Sequence, residues 1–294
     1  MNIKHYLDST YLKTPEQAGL SETENATIVQ QFIQEAIDED FKLIMIRPNM
    51  VKMARKMIDE QKSKVQVGTV ISFPEGTNSL EEKLDEAQQA VDDGVDELDF
   101  VCNYEAFKKG DVELVKKEIL EGTRLAFQNH KIAKWIIEIA ALSDTQIIQL
   151  SVVIKNVIIA NFKEDCYPNV FVKSSTGFYK TENGLPNGAT IPSIIMMIEN
   201  ASPLPLLSIG ASEIISEPEF KCSDDVLKFP KYVTFDVINL LLLKLNLNRN
   251  IKCKHLCLRV RHLLFYNIEI YYQPAQLSLN LLFPDTFYLV PIAS

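Results

Sequence analysis

The stretch Phe171-Val172-Lys173-Ser174-Ser175-Thr176-Gly177 gathers residue types that can do chemistry. Two apolar residues that favour strands lead into a lysine, and three hydroxyl residues and a glycine follow at once. A lysine at the C-terminal end of a short strand can point into a core or a mouth, where desolvation favours the neutral amine. A neutral amine can attack a carbonyl carbon. Ser174, Ser175 and Thr176 supply hydroxyls, and Gly177 lets backbone N–H groups come close to an anion. That set suits a Schiff-base enzyme acting on a small phosphorylated carbonyl compound. The bland alternative is a strand ending in a polar turn, so the elements around it must decide.

Those elements alternate. Tyr6-Leu7-Asp8-Ser9-Thr10 reads as a short strand, and Ser21 with Glu24 has the spacing of a capping box. Ile28, Phe32, Ile33 and Ala36 recur behind it at helical spacing. Phe41 to Ile46 reads as a strand stopped by Arg47-Pro48, with a helix from Asn49. Val65 to Ser72 is the next strand, and Asn78 or Ser79 caps the helix that ends at Gly94. Glu97 to Val101 is a strand, Val112 to Phe127 a helix and Lys134 to Ala140 a strand. Ser143 opens another helix, Asn169 to Val172 forms the strand before the lysine, and Ile191 begins the helix after it.

Six β-then-α units predict a parallel sheet with helical crossovers. No Gly-x-Gly-x-x-Gly follows the first strand, which argues against a dinucleotide-binding sheet. Six units with room for two more predict an α/β fold, a (β/α)8 barrel of the TIM type. Its active site would gather at the C-terminal ends of the strands. Asp8, Thr10, Asp99, Glu138 and Lys173 are expected there. Satisfied core ion pairs are the competing explanation for such charges.

The chain has 294 residues and a net charge of −9. The charge argues against nucleic acid or anionic membrane as the main partner. His5-Tyr6-Leu7-Asp8 interrupts any apolar opening run, so no secretory signal is expected. Val237 to Leu247 is too short and too polar to span a bilayer. Five cysteines, an odd number, suit a reducing compartment, and the expected location is cytoplasmic. Cys253 and Cys257 lie near His255 and His262 without a second cysteine pair, so no metal site is expected there.

The composition changes near residue 205. All ten glycines lie in residues 1–210. Residues 1–210 carry 21 basic and 31 acidic side chains, and residues 211–294 carry 9 and 8. The expected division is a barrel region of six βα units over residues 1–205 and an atypical segment over 206–294. Pro203 to Gly210 could begin a seventh strand, but no clear eighth unit is legible.

Five ordered motifs resemble deoxyribose-phosphate aldolase, a class I aldolase on an eight-stranded α/β barrel, over residues 5–205. They are Leu7-Asp8-Ser9-Thr10-Tyr11-Leu12, Val70-Ile71-Ser72-Phe73-Pro74-Glu75-Gly76, Gly94 to Val101, Lys134-Trp135-Ile136-Ile137-Glu138 and Val172 to Phe178. The resemblance implies reversible cleavage of 2-deoxyribose 5-phosphate to glyceraldehyde 3-phosphate and acetaldehyde, a step in nucleoside catabolism. It implies no metal and no organic cofactor. By position, Lys173 would be the Schiff-base lysine and Asp99 the carboxylate that relays protons. Thr176 and Gly177 would help hold the substrate and its phosphate. Asp8, Thr10, Lys134 and Glu138 match family positions around the site.

The chain also departs from the family pattern. The family carries a second lysine on its seventh strand, followed closely by paired glycines, and glycine loops of strands seven and eight bind phosphate. Here that place reads Leu206-Leu207-Ser208-Ile209-Gly210-Ala211-Ser212, with no lysine and no glycine pair. Lys221 and Lys228 sit outside any matching motif. An altered reading frame or a replaced, poorly folding C-terminal segment is the expectation. If strands seven and eight are missing, two sheet edges are left exposed, and the expected outcomes are pairing of those edges with irregular tail segments, aggregation, or association into a homodimer. A catalytically impaired relative, or a barrel that only binds a sugar phosphate, is the alternative function.

Overall fold

Helix starts in this chain are written by side-chain caps. In the computed structural model, Ser21, Ser79 and Ser143 each close a capping box with the residue three positions on, Glu24, Glu82 or Gln146. Each box satisfies two N–H groups that the first helical turn leaves unpaired. Thr14 and Thr190 do the same ahead of two further helices. The structure describes residues 7–182, 185, 187–208, 233–236, 268–273 and 276–281.

The strands are β1 (Leu7–Tyr11), β2 (Leu43–Ile46), β3 (Gln66–Ile71), β4 (Glu97–Val101), β5 (Ile132–Ile136), β6 (Val170–Lys173), β7 (Leu206–Ser208) and β8 (Val233–Asp236). The helices are α1 (Pro15–Ala18), α2 (Glu22–Asp38), α3 (Val51–Glu60), α4 (Leu80–Asp92), α5 (Tyr104–Lys108), α6 (Val112–Gln128), α7 (Asp144–Asn161) and α8 (Ile191–Ala201). Strands β1 to β7 pair in sequence order, all parallel. Strand β8 runs antiparallel to both β7 and β1 and closes the sheet into a barrel. The expected barrel is present, but its last strand is reversed. That reversal joins the two edges that seven parallel strands would leave open.

The chain divides into two compact units. One holds residues 1–215 and 227–238. The other holds residues 216–226 and 239–294, and in it β9 (Ile268–Gln273) and β10 (Gln276–Leu281) form an antiparallel pair. Lys221, Lys228, the run from Val237 to Leu247, and Cys253, His255, Cys257 and His262 lie outside the described residues. So do residues 209–212 of the expected seventh strand.

Two faces of covered sheet explain the apolar runs. Leu43, Ile44, Met45 and Ile46 are all fully buried, as in a parallel strand walled by helices on one side and barrel core on the other. On the outer face, Phe100 stacks on Trp135 with ring centroids 4.8 Å apart. Trp135 donates its indole N–H to Thr123 of α6 at 3.0 Å, which ties that helix to β5.

Two expected boundaries shift. The helix expected from Asn49 starts at Val51, because Pro48–Met50 forms a 3-10 turn first. The strand expected over 134–140 is shorter and earlier. Glu138 takes a left-handed conformation with φ 55, and a 3-10 turn over Ile139–Ala141 follows. Even so, the Ile137 and Ile139 N–H groups donate to the Lys173 and Ser174 carbonyls at 3.0 and 2.9 Å. The irregular segment therefore still aligns β5 with β6.

The loop after β3 carries Phe73 toward the barrel mouth and turns on Gly76, at φ +70. A Cβ there would meet the Cys102 carbonyl oxygen at 2.4 Å. Gly76→Ala is expected to lower the unfolding free energy by about 1–3 kcal/mol, the usual cost of a strained backbone position. Trp135 is the only tryptophan, so its emission reports urea unfolding of the barrel. An unchanged midpoint in the variant would show that the loop has slack.

Candidate active site

Alternation along the strands decides what enters the barrel. On β4, Phe100 packs outward on Trp135, so Glu97 and Asp99 share the inward face. On β5, Lys134 lies inward while Trp135 lies outward. Lys173 is the last residue of β6, and Asp8 is the second of β1. All of these side chains are buried.

Their charges interlock. Lys173 Nζ donates to Asp99 Oδ2 at 2.5 Å. Lys134 Nζ lies 2.5 Å from Glu97 Oε2, 3.0 Å from Asp8 Oδ2 and 3.6 Å from Asp99 Oδ1. Lys42 reaches Glu97 Oε1 at 3.2 Å from the outer rim of β2. Burial alone would raise the pKa of Asp8, but Lys134, Lys42 and Lys173 together hold it below the ordinary carboxylate value. Burial would likewise lower the pKa of Lys134, yet Asp8, Asp99 and Glu97 push it well above the ordinary lysine value. Lys134 is therefore a fixed cation.

The hydroxyl residues after the lysine are held by Glu138. Its Oε2 accepts the backbone N–H of Thr176 at 3.0 Å and also the Thr176 hydroxyl. Thr176 Oγ1 in turn accepts the Phe178 N–H at 3.0 Å. Burial raises the pKa of Glu138, and the two bonds from Thr176 oppose that rise. Asp99 Oδ1 and Ser175 Oγ are buried and make no hydrogen bond to described protein atoms. These oxygens can take hydroxyl groups of a substrate.

The structure brings Lys173, Asp99, Lys134 and Asp8 into one cluster, with Glu138 and Thr176 as a second at the same end of β6. Asp8 and Asp99 lie deeper than the expected strand ends, within β1 and β4. Thr10 donates its hydroxyl back to the Asp8 carbonyl at 3.4 Å rather than toward the lysine. Gly177 has φ 77, and its carbonyl accepts from Asn187 Nδ2 at 3.1 Å. Glu97 and Lys42 were not legible as site residues. Glu97 stands two positions before Asp99, and that period of two was the available signal. Among the described residues no group of three or more His, Cys, Asp or Glu is placed to hold a metal ion. No described helix is long and apolar enough to cross a membrane.

No protein-family model matches the chain. Against curated proteins it is 33% identical over 206 residues to the deoxyribose-phosphate aldolase of Thermococcus gammatolerans, covering 69% of this chain and 80% of that one. It is 33% identical over 199 residues to that of Caldicellulosiruptor saccharolyticus, covering 66% and 77%. It is 34% identical over 197 residues to that of Lactiplantibacillus plantarum, covering 67% and 80%. The solved structure of the aldolase QR15 superposes with a TM-score of 0.54 at 28% identity, over 70% of this chain and 80% of that one. The deoxyribose phosphate aldolase from Aeropyrum pernix superposes with a TM-score of 0.54 at 24% identity, over 69% and 75%, a likeness of fold. An α/β barrel with these relatives is an aldolase-like lyase. Within that class, the chain belongs to the deoxyribose-phosphate aldolase family.

Glu138 generates a prediction. In Glu138→Gln the amide oxygen can still accept both bonds from Thr176, whereas Glu138→Ala leaves two buried donors unpaired. Glu138→Ala is expected to lose about 1–3 kcal/mol in urea unfolding, and Glu138→Gln much less. The raised pKa gives a pH signature. Above the ordinary value of 4.5 the unfolded chain releases this proton before the folded chain does. Wild-type stability therefore falls with rising pH from 4.5 through the raised folded value, relative to Glu138→Gln. Parallel stability curves for the two proteins would remove Glu138 from that role.

Proposed function

We propose that the chain is a class I aldolase in which Lys173 forms a Schiff base with 2-deoxyribose 5-phosphate. The observation that carries this reading is the buried Lys173–Asp99 contact at 2.5 Å inside the barrel of a family member. An amine must be neutral to attack, and Asp99 Oδ2 is the acceptor beside its proton. The amine adds to the aldehyde carbon of the open-chain sugar, and loss of water gives the iminium. The proton of the C3 hydroxyl then leaves to a base, the C2–C3 bond breaks, and glyceraldehyde 3-phosphate departs. The electron pair of the broken bond remains as an enamine. Protonation at carbon and hydrolysis release acetaldehyde and the lysine.

Asp99 is the proton carrier in this scheme. Lys134 and Asp8 fix its position, and Thr176, Ser175 and Glu138 receive the sugar hydroxyls. Gly177 gives the loop its close approach to the substrate, and Thr10 supports the polar network from β1. The reading places the reaction in nucleoside catabolism in the cytoplasm, with no cofactor.

A second reading is a catalytically impaired relative. Leu207 of β7 is in register with Lys173 and is fully buried, so a leucine stands beside it there and not a second lysine. Borohydride trapping and turnover separate the two. Adduct formation on Lys173 with acetaldehyde together with turnover of deoxyribose 5-phosphate supports the aldolase. Trapping without turnover supports the impaired relative.

Two variants test the assignments. Lys173→Met is expected to abolish trapping with acetaldehyde while the thermal melt stays cooperative. A reducible adduct in that variant would assign the chemistry to another lysine. Asp99→Asn is expected to slow the reaction by about 10²- to 10⁴-fold, the range of a general acid–base group. A rate within about twofold of wild type would return Asp99 to a purely structural role.

A further inference from the structure

The ionic cluster has one member at the far end of the barrel from Lys173. Lys42 stands one residue before β2, and β1 to β7 run parallel, so it enters from the rim where the strands begin. Lys173 is the last residue of β6, at the rim where they end. The Lys42 side chain keeps 21% of its surface exposed, whereas Glu97, Lys134 and Asp99 keep none.

An unbroken chain of opposite charges joins the two lysines. Lys42 Nζ lies 3.2 Å from Glu97 Oε1, and the other oxygen of that carboxylate lies 2.5 Å from Lys134 Nζ. Lys134 Nζ is 3.6 Å from Asp99 Oδ1, and Asp99 Oδ2 accepts from Lys173 at 2.5 Å. Phe171 lies beside this chain, its ring centroid 5.3 Å from Lys42 Nζ and 6.0 Å from Lys134 Nζ. Phe171 and Lys173 are two apart on β6, so they share a face and are about 7 Å apart along the strand. The ammonium groups of Lys42 and Lys173 are therefore separated by on the order of 10 Å, across buried side chains. Water would mute a charge at that distance, but buried side chains mute it less. Burial pushes the Asp8 carboxyl up, and Lys134, then Lys42, pull it below its ordinary value, so the Lys42 charge is already felt across the barrel.

The other ionisable groups around the two lysines stay the same when residue 42 changes. Asp8 comes from β1, Glu97 and Asp99 from β4, and Lys134 from β5. Glu138 follows β5 and accepts from Thr176. Glu39 and Asp40 precede Lys42 in the chain. Strands β2, β3 and β7 contain no ionisable residue. Asp236 of β8 is in register with Leu207, the β7 neighbour of Lys173. A neutral residue at position 42 therefore alters the interior sum by one charge and nothing else.

We infer that Lys42 is a positioning residue for the reaction, one that acts from the opposite rim through Glu97 and Lys134 and sets the pH range in which the Lys173 amine is free to attack. The role in the reaction rests on the aldolase reading, whereas the electrostatic control of Lys173 does not.

The test uses the full chain, with lysine labelled with ¹³C at Cε, as wild type, Lys42→Met, Lys42→Gln and Lys42→Arg, each checked by thermal melting. Methionine keeps an apolar stem over Phe171, and glutamine keeps a donor for Glu97. Lys42→Gln decides the question if Lys42→Met does not fold. The Lys173 resonance is assigned by its loss in Lys173→Met and followed against pH. With one positive charge fewer, the interior holds the Lys173 proton more tightly. The midpoint of that titration is expected to rise by about 0.5–1 pH unit in both neutral variants. Arginine keeps the charge, so Lys42→Arg is expected to titrate like wild type. Borohydride trapping with acetaldehyde should follow: below the midpoint its rate falls by about 3- to 10-fold in the neutral variants and recovers at higher pH. A purely structural role would slow trapping alike at every pH. An unmoved midpoint in the folded neutral variants, or an equal shift in Lys42→Arg, overturns the inference and leaves the aldolase reading in place. If acetaldehyde fails to trap on wild type while the Lys173 midpoint still moves with the charge at position 42, the aldolase reading falls and the electrostatic control stands.

Discussion

Lys134 is the ion on which the barrel interior depends. Three carboxylates lie within 3.6 Å of its Nζ, and all four side chains are buried. Taking ions out of water costs several kcal/mol each, and the cost is recovered only when opposite charges meet in good geometry. Without Lys134, Asp8, Glu97 and Asp99 would face one another across the strands with only Lys42 and Lys173 to balance them. Breaking a buried pair in this way typically costs about 3–5 kcal/mol. The position of Asp99, and through it that of Lys173, is therefore set by a lysine that need not touch a substrate.

The structure is held by two separate systems. Within the site, the charged cluster spans β1, β4, β5 and β6 and fixes the register of its side chains. Around the mouth, aromatic contacts join loops. Phe73 after β3 meets Phe178 after β6 edge to face at 5.0 Å, and Tyr104 of α5 meets Tyr179 at 6.4 Å. Each aromatic pair contributes about 0.5–1.5 kcal/mol beyond burial. Lys173 and the hydroxyl residues that follow it are buried, so a substrate must part contacts to reach the amine. The aromatic contacts are far weaker than the ionic cluster. The mouth can yield while the floor of the site keeps its geometry.

Much of this was legible in the sequence, for identifiable reasons. The capping box at Ser21, the opening serine Ser143 and the cap at Asn78 or Ser79 are local signals, and they placed three helix starts. The alternation of six strands and helices gave the barrel. Short helices such as Pro15–Ala18 and Tyr104–Lys108 went unread, because four or five residues carry no period. Glu138 was read near the end of a strand over 134–140, since nothing in its type announces φ 55. Asp8 and Asp99 were assigned to strand ends because sequence shows which residues are polar but not at what depth their partners lie. Strand β8 was not visible, and its reversed direction depends on two open edges that exist only after β1 to β7 have curled. Arg47 read only as the stop of a strand. Its relation to Phe178 joins positions 131 residues apart.

The ionic cluster also bears on the proposed chemistry through charge conservation. Asp8, Glu97 and Asp99 bring three negative charges, and Lys42, Lys134 and Lys173 bring three positive ones. In a poorly solvated interior a step that changed this sum would be penalised strongly. Passing a proton from Lys173 to Asp99 leaves the sum unchanged. The iminium carries the same single positive charge as the ammonium it replaces, so forming the adduct also preserves it. When the C2–C3 bond breaks, the iminium becomes a neutral enamine and the proton of the C3 hydroxyl must go elsewhere. If Asp99 takes it, the interior is again balanced, one positive and one negative charge having vanished together. Protonating the enamine carbon from Asp99 restores both. Every intermediate can then be matched by the protonation of one carboxylate, and Lys134, held charged by its three partners, keeps that carboxylate in place throughout.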